Sequence, residues 1–262
     1  MHSDVARLDL RLRRRSILGY TMGLAAYAWL IVALYPTFRH DTSLDALTKG
    51  SSTLSALLGA SGSFTTPDGW MNANLYANFV PLFVLLMTIG YGASAIAGQD
   101  EEGTLSSIAT LPISRTSLLL QKALALAILS LPIPAVTFLF ALIGRDFQLR
   151  LATGALLGTT VAVVLLGLDF GLLALAVGSG TGSRGVALGV AGTFAAASYV
   201  TSSLAMTVHW MRPLRYASLF YWSVGHRQLI DGLSPSSLLV LLGAGVVLGI
   251  LALGGFRHID LH

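Results

Sequence analysis

Residues 151–177 read LATGALLGTTVAVVLLGLDFGLLALAV, and Asp169 is the one charged side chain among them. At 1.5 Å of rise per residue, such a run crosses the roughly 30 Å hydrocarbon core of a bilayer. Its apolar residues are continuous and lack the period-two alternation of a barrel strand. Lipid offers the backbone no hydrogen-bond partner, so the run is expected to be a helix. Working outward, runs of the same kind occur at about 16–36, 76–97, 117–142, 186–208 and 236–256. The expectation is an all-α integral membrane protein with six spans, in one transmembrane domain over residues 1–262.

Composition agrees. Over the 262 residues, 54% are apolar and 11% charged, with a mean hydropathy of +0.74. Soluble domains carry about 25% charged residues, so this chain lacks the polar surface that water requires. The net charge of +4 does not argue for nucleic acid, because the basic residues flank the spans, where anionic headgroups attract them. The sequence holds no cysteine, which excludes disulfides and thiol chemistry. It also lacks a His-Glu-x-x-His or comparable metal set and any serine-nucleophile motif, so no catalytic or metal-binding residue is expected.

Arg11, Arg13, Arg14 and Arg15 precede the first apolar run. That run is longer than a signal-peptide core and no small-residue cleavage site follows, so it reads as a retained span. Before it, in residues 3–15, Val5, Leu8 and Leu12 fall at helical spacing and the arginines cover the other face. This pattern predicts an amphipathic helix in the headgroup layer. Six spans put both termini on one side. Arg7, Arg11, Arg13, Arg14, Arg15, Arg115, Lys122, Arg184 and Arg257 belong to that side, against Arg39, Lys49, Arg145, Arg150, Arg212, Arg215 and Arg227 on the other. The dense cluster at the first span assigns the termini to the cytoplasm.

Of the outer loops, 37–75 carries leucines at helical spacing and reads as short surface helices, with no independent domain. Loop 209–235 crowds together Trp210, Tyr216, Phe220, Tyr221 and Trp222, with Pro213 and Pro235 towards its two ends, as expected of an interfacial or re-entrant segment. On the other side, Gly178 to Gly185 reads as a flexible turn, since it lacks the lysine and preceding strand of a phosphate loop.

Between spans two and three lies Gly98-Gln99-Asp100-Glu101-Glu102-Gly103-Thr104-Leu105-Ser106-Ser107-Ile108-Ala109-Thr110-Leu111-Pro112-Ile113-Ser114-Arg115. Acidic residues favour the start of a helix, Leu105, Ile108 and Ala109 give a small apolar face, and Pro112 ends the element. Ser114 or Thr116 is placed to cap the next helix. The reading is a short cytoplasmic helix, acidic at its head, wedged between two spans over residues 98–113.

In this segment the chain resembles the ABC-2 type permeases. Their loop commonly reads Glu-Glu-x-Gly-Thr-Leu, then Thr-Pro-[Val/Ile]-Ser-Arg, then a lysine in the following span. Glu101-Glu102-Gly103-Thr104-Leu105 matches with the intervening residue missing or shifted, and Leu111-Pro112-Ile113-Ser114-Arg115 and Lys122 follow. Thr66-Pro67-Asp68-Gly69-Trp70 is similar to the segment before span two. The ending Phe256-Arg257-His258-Ile259-Asp260-Leu261 is similar more weakly, with His258 and Ile259 where arginines are common.

The resemblance covers the full length. It implies the permease subunit of an ABC exporter in the plasma membrane, acting with a second copy or a close homologue over two separate ATPase subunits. Asp100, Glu101, Glu102, Gly103, Thr104, Leu105 and Ile108 would then form a coupling helix seated on the ATPase, and the partner would bind ATP and Mg while this chain binds no cofactor. The sequence agrees with that division: its lysines, Lys49 and Lys122, do not stand in the Gly-x-x-x-x-Gly-Lys-[Ser/Thr] context of a P-loop. The competing reading is an ion-coupled transporter or channel without an ATPase. Such proteins carry several intramembrane charges or broken helices, and here Asp169 alone lies well inside a span, as a candidate for the translocation path.

Small residues four apart, at Gly19/Gly23, Gly167/Gly171, Gly185/Gly189 and Gly245/Gly249, permit close helix packing.

Overall fold

The computed structural model describes residues 4–40, 63–103, 114–205, 208–225 and 227–258. Short α1 (Asp4–Leu12) leads into α2 (Arg14–Phe38). The other long helices are α3 (Pro67–Glu101), α4 (Arg115–Phe147), α5 (Thr153–Thr181) and α6 (Arg184–Leu204). Two short helices, α7 (Leu219–Ser223) and α8 (Gln228–Asp231), precede α9 (Pro235–His258). The six helices α2 to α6 and α9 are long and apolar enough to cross a membrane, as expected.

Three boundaries differ from the sequence reading, each for a local reason. Helix α3 starts at Pro67, well before the expected 76. Thr66 caps it, its Oγ1 accepting from Gly69 N at 3.3 Å, and Pro67 suits the first turn, where its missing N–H leaves nothing unpaired. Trp70 holds this turn in place by donating from Nε1 to Ile31 O at 3.0 Å and stacking on Phe38. Helix α4 is broken between Leu129 and Pro132. Pro132 has no N–H for Ile128 O, so Leu131 N bonds it instead at 3.3 Å, and Thr137 Oγ1 donates to Ile133 O and Pro134 O. Finally, α5 runs on to Thr181 and stops at left-handed Gly182, so the turn expected over 178–185 contracts to Gly182 and Ser183.

Helices α3 and α5 form the core. Of their most apolar stretches, 72% and 61% are buried, against 22% for α2, 28% for α6 and 11% for α9. The two cross at glycines. A Cβ on Gly92 would stand 2.2 Å from Gly171 O, and one on Gly167 2.3 Å from Val84 Cγ1. Of the expected small-residue pairs, Gly167/Gly171 therefore makes a close crossing. Gly19, Gly23, Gly189 and Gly249 face open space among the described residues.

At the end of the bundle away from α1, His209–Ala217 forms a 3-10 helix and α7 turns into the bundle. Phe220, Tyr221 and Ser223 are buried, and Ser223 Oγ donates to Ala162 O of α5 at 3.0 Å. Trp210 and Tyr216 remain exposed. The aromatic-rich loop thus has both an inserted part and an exposed part. The leucine-rich part of the other long loop, 41–62, lies outside the described residues.

Candidate functional site

The end of the bundle that carries α1 holds a buried polar cluster drawn from α1, α3 and α4, with Arg13 from the α1–α2 junction. Ser114 caps α4 by accepting from Ser117 N at 3.2 Å. Two turns on, α4 presents Gln121 and Lys122 inward, Lys122 with no exposed surface. Lys122 Nζ lies 2.8 Å from Oδ2 and 3.1 Å from Oδ1 of Asp9, so a carboxylate from α1 supplies the counter-charge. Tyr91 of α3 donates its hydroxyl to Asp9 Oδ2 at 2.6 Å. The amide of Val5 bonds Gln121 Oε1 at 3.1 Å. Arg13, between α1 and α2, donates to Ser94 and lies over the Tyr91 ring, 5.1 Å from its centroid. Burial pulls the Arg13 pKa below its ordinary value, while Tyr91 and Asp9 oppose that shift.

The third donor of Lys122 reaches Gln99 Oε1 at 2.9 Å. Gln99 follows a π-helical stretch, Ser94–Gly98, that is buried throughout. One-turn π insertions of this kind are frequent at functional sites. After Gln99 the chain leaves the helix through the acidic residues. Glu102 N still bonds Gly98 O at 3.1 Å, Gly103 N bonds Asp100 O at 2.9 Å, and Gly103 takes φ +67°, the left-handed termination that glycine accepts most readily.

The acidic cluster therefore lies in the last turn of a long helix. The sequence reading put it at the head of a short one, where the dipole favours negative charge. At a helix C-terminus the same charge is unfavourable, and the structure supplies a different positive end. Glu101 Oε1 accepts from Arg184 N, the first residue of α6, at 2.9 Å. Ser183 Oγ, the side-chain cap of that helix, accepts from Val186 N. Arg184 lies along Gly98, where an added Cβ would come within 3.4 Å of its Cδ. Glu102 and Gly103 are exposed. Thr104, Leu105 and Ile108, expected to complete a coupling helix, lie outside the described residues.

Residues 99–103 are thus fastened on two sides: Gln99 to Lys122 and through it to α1, and Glu101 to α6. Arg115 extends the set by donating to Phe256 O of α9 at 3.4 Å. Sequence reasoning had placed Lys122 only as part of a motif and missed Asp9, Tyr91, Gln99 and Arg13. One signal was readable: a lysine inside an apolar run calls for a buried partner. Helix α1 also departs from its expected pattern. Val5 faces the protein beside Ala6 and Asp9, while Leu8 and Leu12 are exposed.

Asp169 lies apart from this cluster, in the middle of α5. It is fully buried, and neither carboxyl oxygen has a hydrogen-bond partner among the described residues. It faces Gly245 of α9, where an added Cβ would stand 2.9 Å from Oδ1. Elsewhere, a groove of about 550 Å³ between α3 and α6 is lined by Leu82, Leu86, Ile89, Leu188, Gly192 and Tyr199 among others.

A search of curated proteins finds no match to the sequence. The family described as ABC-2 family transporter protein matches residues 4–261, from the first turn of α1 to beyond α9. That match takes in the six apolar helices, the acidic segment and the lysine behind it, and the chain belongs to the ABC-2 transporter family as a multi-pass membrane permease.

Proposed function

We propose that this chain is the permease subunit of an ATP-driven exporter, with residues 98–113 coupling it to a separate ATPase. The observation that carries the reading is the double attachment of the acidic turn. A push on residues 100–103 passes through Gln99 to Lys122 and Asp9, hence to α4 and α1, and through Glu101 to the first residue of α6. Glu102 and Gly103 are solvent-exposed at the tip of this turn. Packed helices transmit such displacements because their interiors resist compression.

In this reading the α1 end is cytoplasmic, which the arginines around α1 support. Two permease copies stand over two ATPases, since each ATPase engages one coupling segment. The open glycines of α6 and the apolar groove beside them support a second copy at that face, with the path between the copies. Asp169 joins the path when α9 shifts from α5, because a carboxyl sealed at hydrocarbon depth without a partner marks a functional position.

The test is co-expression with a P-loop ATPase followed by purification and vesicle transport. The pair should remain associated and hydrolyse ATP, and this chain alone should bind no nucleotide. Robust nucleotide binding by the isolated chain would overturn the assignment.

A further inference from the structure

Helix α1 has three distinct sides. Its inner side carries Val5, Ala6 and Asp9, all at most 7% exposed. A second side carries Leu8 and Leu12, which are 52% and 73% exposed. The third carries Arg7 and Arg11, also exposed, and the exposed Arg14 and Arg15 follow at the start of α2. Arg13 is the exception among these arginines, turned inward onto Tyr91 and Ser94.

A helix of nine residues is too short to be stable alone. The protein side offers α1 a small apolar contact, from Val5, Ala6 and the partly buried Leu10, and it buries a carboxylate. The two outer sides are left for a further contact. Helix α1 continues into the first spanning helix through Arg13, whose N–H bonds Asp9 O at 3.2 Å and whose carbonyl accepts from Ile17 N at 3.0 Å, so it sits at the level where the spans leave the hydrocarbon. Two exposed leucines beside four exposed arginines match an interface of acyl chains under negative headgroups.

We propose that α1 is an anionic-phospholipid binding element, and that headgroup contact with Arg7, Arg11, Arg14 and Arg15 is what seats Asp9 on Lys122. The lipid charge of the leaflet then sets how firmly the base of the acidic turn is held. The proposal assumes the orientation given above, but its first consequence concerns α1 by itself and does not need an ATPase.

The experiment uses the full chain in nanodiscs of phosphatidylcholine, with or without phosphatidylglycerol, and reads hydrogen exchange at the amides of residues 6–12. Phosphatidylglycerol should slow that exchange by roughly tenfold or more, as expected for a local opening made rarer, and high salt should erase the difference. Arg7→Gln with Arg11→Gln should abolish the lipid effect, and Arg7→Lys with Arg11→Lys should keep it. Leu8→Ser with Leu12→Ser should weaken protection in both lipids. Equal protection in the two lipids would overturn the proposal. So would protection that arises only when a partner ATPase is added, which would make an acidic protein surface the occupant. Because the permease is tested alone, a failed coupling assignment would leave this result unchanged.

Discussion

Lys122 and Asp9 form a buried ion pair at 2.8 Å that ties the fourth helix to the first, with 0% and 6% of their side chains exposed. Charges removed from water this fully are sustained only by good geometry and further hydrogen bonds. Tyr91 and Gln99 supply those bonds. Lys122→Met should strand the carboxylate and cost about 3–5 kcal/mol, whereas Asp9→Leu with Lys122→Met should recover most of the loss. Thermal melts of the purified variants give the double-mutant cycle. Strictly additive single effects would mean that the pair does not act as a unit.

Asp169 and Gly245 set a second cycle. The Cβ of Gly245→Ala would arrive 2.9 Å from Asp169 Oδ1, an overpacking expected to cost about 1–3 kcal/mol. In an Asp169→Ala background that cost should largely vanish. Asp169→Ala alone should leave the melting temperature unchanged or raise it, because it removes buried oxygens that have no partner, and should slow transport. Normal transport by that variant would restrict Asp169 to packing.

Orientation is directly measurable, since the chain has no native cysteine. Ser106→Cys should resist a membrane-impermeant maleimide added outside intact cells and react once the cells are opened. Labelling from outside would invert the topology.

The six-helix architecture was legible in the sequence because bilayer thickness sets a length that apolar runs either meet or miss. Helix α3 was harder. Asn72, Asn74 and Asn78 interrupt its hydropathy, although the Thr66-Pro67 cap signalled the true start. The break in α4 at Pro132 was equally open to reading, since proline removes a donor in any span. The site was legible in part. The acidic turn and Lys122 stood out in sequence, but their partners come from far along the chain. Asp9 is separated from Lys122 by two helices, α2 and α3, and no local spacing chooses it over Asp4 or Asp100. The partner of Glu101, the last residue of α3, was hidden for the same reason: the amide that it meets belongs to Arg184, across the bundle.

The account's central claim is that the acidic turn carries ATPase motion into the spans. Its most direct test is ATP-driven transport by the complex carrying Glu101→Lys and Glu102→Lys, at membrane abundance matched to wild type, with Glu102→Lys alone reporting on docking without loss of the contact at Arg184. Glu101 is the exposed last residue of α3 and Glu102 lies just past it, so insertion should be normal. Removing a charge partner at an interface typically costs about 2–5 kcal/mol, so ATPase association should weaken and transport should be lost in the double variant and reduced in the single one. Full ATPase association and full transport by the double variant would contradict the claim and leave residues 100–103 as an ordinary solvated turn.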